Sequence, residues 1–229
     1  MTPLMLIPGM MCDGRMWSDI ASVVPDRMVI HAPITNADTV QALAALILAD
    51  APPVFALAGL SMGGIVAMEL ARQAPDRIER LALLDTNPLA EAPEVAARRQ
   101  GQIDRVLAGN LAAVMREELK PNYLAPGLRN APVLDLCLDM ALGLGPQVFV
   151  RQSVALRDRA DQQDTLAGFN RPALVLMGEH DMLCPRERHD LMLRLMPQAR
   201  LAIVPGAGHL PTLEQPAETL REMVRWLQA

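Results

Sequence analysis

An α/β architecture, with a mostly parallel sheet of about six strands and an all-helical insertion, follows from three features of this 229-residue chain. Six short apolar runs are each stopped by Pro, Gly or Asp, as suits strands buried on both faces of a parallel sheet. Amphipathic helical stretches lie between most of them, which implies right-handed strand–helix–strand units. One long stretch has helical pattern only.

In chain order, the first strand candidate is Leu4–Ile7, closed by Pro8-Gly9. Arg27–Ala32 is the second, closed by Pro33. A helix follows over Asp38–Ala49, with Val40, Leu43, Ala44, Ile47 and Leu48 on one stripe. Val54–Ala58 is the third strand and runs through Gly59 into a helix over Met62–Ala74, which stops before Pro75. Leu81–Leu84 ends at Asp85. Ala173–Met177 ends at Gly178, followed by a helix over Arg186–Met196. Ala199–Val204 ends at Pro205-Gly206, followed by a helix over Glu214–Leu227. Residues 87–170 interrupt the alternation with helices over Glu94–Ala108, Leu111–Leu119, Val133–Leu142 and Pro146–Arg157, punctuated by prolines. The expected organisation is a core of residues 1–86 and 171–229 with residues 87–170 inserted as a helical cap.

Composition narrows the function. Apolar residues make up 51% of the chain, too many for disorder. Aromatic residues are 3%, too few for a stacking platform for sugars or single strands. The net charge is −5 with no basic stripe, so no nucleic-acid partner is expected. Cys12, Cys137 and Cys184 form neither a disulfide framework nor a metal pair, which fits a reducing compartment. No signal peptide and no apolar run long enough to span a bilayer is evident, so a cytoplasmic, membrane-free protein is expected.

The chemistry concentrates at Gly59-Leu60-Ser61-Met62-Gly63, a G-x-S-x-G turn between a strand and a helix. Such a turn strains the serine backbone and lifts Ser61 Oγ above the sheet. Its glycines remove side chains that would collide, and the helix N-terminus favours negative charge beside it. A nucleophilic serine needs a base, and the base an orienting acid. His209 follows the last strand in Gly206-Ala207-Gly208-His209 and is the base candidate. His31 reads as a packed or edge residue, His180 as solvent-facing, and His189 as lying on the exposed side of its helix. Asp181, in Gly178-Glu179-His180-Asp181, is the preferred acid over Glu179, with Asp85 as the reserve. The order Ser61, Asp181, His209 supports that choice.

With these motifs the chain resembles the α/β-hydrolase fold family over essentially its full length. The resemblance rests on the Gly59–Gly64 elbow, the Gly178–Asp181 turn, Gly206–His209 with Leu213-Glu214-Gln215-Pro216 behind it, and Leu6-Ile7-Pro8-Gly9-Met10 at the place of the oxyanion loop. It implies that the backbone N–H groups of Met10 and Met62 form the oxyanion hole and that residues 87–170 are the family's cap. Two departures stand out: Pro8-Gly9 replaces a frequent His-Gly, and the two strands that usually precede the Leu4–Ile7 strand have no room, so an N-terminally truncated sheet is expected. Small esterases and lactone hydrolases of the family are the nearest in character, which implies a serine hydrolase cleaving a small ester or lactone through an acyl-enzyme, as monomer or homodimer, with no metal or organic cofactor. Thioesterase, perhydrolase, carbon–carbon hydrolase and acyltransferase activities fit the same residues, and a non-catalytic binding protein is the reading from another class. Met11, Trp17, Met182 and Leu210 are the expected substrate-pocket residues, part of an aliphatic, sulfur-rich wall with few aromatics.

Overall fold

The computed structural model describes residues 1–17, 20–127 and 131–229. Its sheet contains β1 (Leu4–Ile7), β2 (Val29–His31), β3 (Phe55–Leu60), β4 (Ile78–Leu84), β5 (Ala173–Gly178) and β6 (Arg200–Val204). The strand order is β2-β1-β3-β4-β5-β6, and every pairing is parallel. The order reverses direction at β1, which leaves a crevice between the C-terminal ends of β1 and β3, the usual ligand site of an open α/β sheet.

Helices follow as α1 (Ile20–Val23), α2 (Val40–Asp50), α3 (Met62–Gln73), α4 (Pro93–Leu107), α5 (Leu111–Val114), α6 (Ala131–Leu144), α7 (Pro146–Arg157), α8 (Gln163–Ala167), α9 (Arg186–Leu195), α10 (Pro211–Glu214) and α11 (Pro216–Gln228). Strand alternation divides the apolar side chains into two layers. Met5, Ile7 and Leu57 pack with Leu43, Val66 and Met192 from α2, α3 and α9. Leu4, Leu6 and Ala58 pack on the other face with Ile20, Met223 and Trp226 from α1 and α11. A third cluster lies between α4 and α7, built from Val106, Val114, Leu138 and Phe149.

Several boundaries differ from the sequence reading. β4 begins at Ile78, three residues early, because Ile78 and Arg80 pair with Phe55 and Ala56 of β3. The polar Arg80 is accommodated there by reaching the Trp226 carbonyl at 2.7 Å. The last helix breaks at Gln215, since Pro216 can start a helix but cannot continue one. Helix α5 passes into a π turn over Met115–Leu119. Helix α8 has too few residues to show a period. Among the described residues, no single helix is long and apolar enough to cross a membrane.

Candidate active site

Strand register aligns the site. Ile7 pairs with Gly59, Leu60 with Leu84, and Gly178 with Val204. The residues that follow these positions therefore emerge from one edge of the sheet. At the centre, Ser61 joins β3 to α3 with φ of 55°, a conformation L residues avoid. A Cβ on Gly59 would lie 2.2 Å from the Gly63 carbonyl oxygen, and one on Gly63 would lie 2.2 Å from that of Ile7. Only glycine permits this approach of strand and helix. Hydrogen bonds hold the turn: the Ser61 N–H donates to Leu84 O at 2.9 Å, and Thr86 Oγ1 donates to Ser61 O at 2.7 Å.

His209 Nε2 lies 2.9 Å from Ser61 Oγ, and its Nδ1 lies 2.9 and 3.0 Å from the two Asp181 oxygens. Burial alone would raise the Asp181 pKa. The His209 imidazole and the amides of Cys184 and Leu183 outweigh it and hold the carboxyl below its usual range. The Leu183 and Cys184 amides donate to Asp181 Oδ1 at 2.8 and 3.0 Å. Asp85 does not meet His209. It is fully buried with φ of 46°, accepts from the Gly178 N–H at 2.8 Å, and lies behind Asp181. Burial first, then the charge of Asp181, pushes its pKa well up.

Two anchors were not legible beforehand. Glu214 accepts from the amides on both sides of His209, Gly208 at 2.9 Å and Leu210 at 3.0 Å, and from Ala125 at 2.8 Å. The His209 N–H donates to Tyr123 O at 2.8 Å. Gln152, buried in α7, accepts from the Met11 amide at 2.8 Å and donates to Ile34 O at 2.9 Å, which ties the loop after β1 to the helical segment. The motif around Glu214 was visible in the sequence, but its three amide partners were not. Nothing local signals Gln152.

A cavity of about 670 Å³ opens over Ser61 and His209. Met10, Met62, Met182 and Leu210 line it, as do Cys12 and Cys184. Met62 is the first residue of α3, so its N–H has no acceptor within the helix. Among the described residues, the Met10 N–H donates to no backbone acceptor. Met11 and Trp17 do not line the cavity, contrary to the sequence expectation. Met11, with φ of 55°, turns into the cluster of Val106 and Phe149. Trp17 packs beneath α11 with Met223 and Trp226. The wall is also less apolar than expected, because the helical segment contributes Glu91, Arg98, Arg99 and Arg159, and α9 contributes Arg188. The four histidines separate clearly. His31 lies on the edge strand and is exposed, and His180 is exposed beside Glu179. His189 is fully buried, a correction: it stands three residues before Met192, on the buried stripe of α9.

Comparison with known proteins adds three findings. Residues 4–222 match the alpha/beta hydrolase family. The chain is 27% identical to the pimeloyl-[acyl-carrier protein] methyl ester esterase of Aromatoleum aromaticum, with 94% of each chain covered. It superposes on a thermophilic esterase from Thermogutta terrifontis with a TM-score of 0.89 at 29% identity, covering 100% of this chain and 90% of that one. The enol-lactonase from Burkholderia xenovorans LB400 shares the fold, with a TM-score of 0.87 at 22% identity and coverage of 100% and 92%.

Proposed function

The chain belongs to the alpha/beta hydrolase family, and we propose that it works there as a serine hydrolase of small carboxylic esters or lactones. The observation that carries this reading is the unbroken hydrogen-bonded line Ser61–His209–Asp181 at the floor of an open cavity. His209 Nε2 takes the proton as Ser61 Oγ attacks the carbonyl carbon. Asp181 holds the imidazole tautomer through Nδ1 and stabilises the imidazolium that forms. The N–H groups of Met10 and Met62 are the donors for the oxyanion, each worth about 2.7–4 kcal/mol of barrier. Collapse of the tetrahedral species passes the proton from His209 to the leaving oxygen. Water, deprotonated by His209, then releases the acid from Ser61. The helices from α4 to α8, within residues 87–170, act as the cap that closes the acyl site.

Ser61→Ala tests the reading. Turnover of a p-nitrophenyl short-chain ester should fall by about 10⁴-fold or more while the thermal midpoint stays near that of the parent. Parent-level turnover in that variant would remove Ser61 from the mechanism.

A further inference from the structure

The cavity wall carries more positive charge than its own carboxylates neutralise. Arg99 Nε donates to Glu91 Oε2 at 2.8 Å, and Arg159 Nη1 lies 2.8 Å from Glu91 Oε1. One carboxylate thus serves two guanidiniums, and the side chains of all three are largely buried, with 14% exposure for Arg99, 6% for Glu91 and 5% for Arg159. The set keeps one uncompensated positive charge away from bulk water. Arg159 has further acceptors in the carbonyls of Leu89 and Leu156. Arg99 is less well supplied, since its Nη1 faces only the Met10 thioether at 3.7 Å.

Arg98 and Arg188 line the same cavity, and among the described residues neither guanidinium has a hydrogen bond or an ion pair. The other acid on the wall, Glu118, is engaged by Arg105 and Gln102. Burial, then the neighbouring charges of Arg159 and Arg98, work against the charge of Arg99, and only Glu91 favours it. A buried cation of this kind is costly unless an anion joins it. The Met10 contact also places Arg99 beside the residue whose N–H faces the developing oxyanion.

We propose that the substrate carries a free carboxylate in addition to its scissile ester, and that Arg99, flanked by Arg98 and Arg188, binds that carboxylate and sets the specificity. A singly charged group balances the one excess charge of the Arg99–Glu91–Arg159 set. Glu91 Oε2 already takes Nε and Nη2 of Arg99, each at 2.8 Å, and the side that remains, toward Nη1, suits a carboxylate. This rests on the serine-hydrolase reading of the same cavity and narrows its substrate class.

The experiment compares matched ester pairs. Monomethyl glutarate against methyl pentanoate places the charge on the acyl side. Acetoxyacetate against ethyl acetate places it on the leaving group. In one pair the anionic member should show kcat/KM at least about tenfold higher, mostly through KM, as suits one charge-assisted contact. Arg99→Gln should lower that anionic-to-neutral ratio by about tenfold, and the Arg98→Gln/Arg188→Gln double variant, at an exposed and a half-buried position, by about threefold to tenfold. Ratios near one in both pairs overturn the proposal, as does a high ratio that survives in both variants. Labelling of Ser61 by a neutral fluorophosphonate separates the two readings. Labelling without anion preference removes the carboxylate site and keeps the hydrolase. Glutarate binding by calorimetry, lost in Arg99→Gln but with no labelling of Ser61, removes the hydrolase reading and keeps the carboxylate site.

Discussion

Two carboxyl groups sit end to end behind His209, and their environments drive them apart. Asp181 is held ionised by His209 and two amides, whereas Asp85 is held protonated by burial and by the charge of Asp181. Asp85 therefore keeps its proton in the folded chain at pH values where the unfolded chain has released it. By linkage its contribution to stability falls as pH rises above the ordinary aspartate value of about 4, at about 1.4 kcal/mol per pH unit, until its raised folded pKa is passed. Asp85→Asn removes that titration and keeps an oxygen for the Gly178 N–H. Its guanidinium-chloride midpoint, measured against the parent, should shift progressively in the variant's favour as pH rises through the range above about 5. An unchanging difference across that range would show that Asp85 is ionised in the fold. At this scale the reach of the sequence has a physical boundary. The elbow was readable because the approach of Gly59 to Gly63 is made within five residues, although Gly63 also meets the distant Ile7 carbonyl and Ser61 is held by Leu84 and Thr86. Chain order could not separate Asp181 from Asp85, since both lie between Ser61 and His209; the contact with His209 Nδ1 is what separates them. Met11, Trp17 and His189 were misplaced because their burial depends on which distant element covers them.

The strands and helices around the site were legible for a related reason: a strand buried on both faces needs an unbroken apolar run, which β1, β3, β5 and the Leu81–Leu84 part of β4 have. The edge strands β2 and β6 are only partly buried and carry His31 and Arg200. The links between elements were not. Glu214 stands at the end of α10, and its single carboxylate gathers the amides of Gly208, Leu210 and Ala125, so it fixes the His209 loop and the Tyr123–Ala125 loop together. Glu214→Gln preserves the shape but weakens three charge-assisted bonds, each worth more than a neutral one. His209 remains in its loop but is less well aimed at Ser61. The expected result is a fall in kcat of about tenfold to a hundredfold with KM little changed, and a loss of about 1–3 kcal/mol in stability. Steady-state kinetics and denaturant unfolding check both. A drop in stability with kcat intact would leave Glu214 as a fastener of loops with no part in aiming the base.

For the molecule as a whole, the question is whether the segment between β4 and β5 behaves as a separate unit. Its packing argues against that. Leu156, Leu166 and Phe169 belong to the apolar layer beneath the sheet, alongside Val66 and Met192. Gln162 donates to the buried Glu69 of α3 at 2.8 Å, and Arg72 and Gln73 donate to the same carboxylate. Gln152 in α7 holds the loop after β1. These ties join the segment to the sheet through polar groups that are costly to expose one at a time, so local opening should cost nearly as much as global unfolding. The aromatic residues supply independent reporters. Both tryptophans, Trp17 and Trp226, are buried against the sheet, and the single tyrosine, Tyr123, is buried where the helical segment meets the His209 loop. Tryptophan fluorescence and tyrosine second-derivative absorbance should therefore give coincident thermal transitions. Glu69→Ala strands Gln162 and removes the anchor of α8, so it should move both transitions down together, by an amount corresponding to about 2–4 kcal/mol. A tyrosine transition that precedes the tryptophan one, in the parent or in Glu69→Ala alone, would mean that the segment detaches from a core that is still folded.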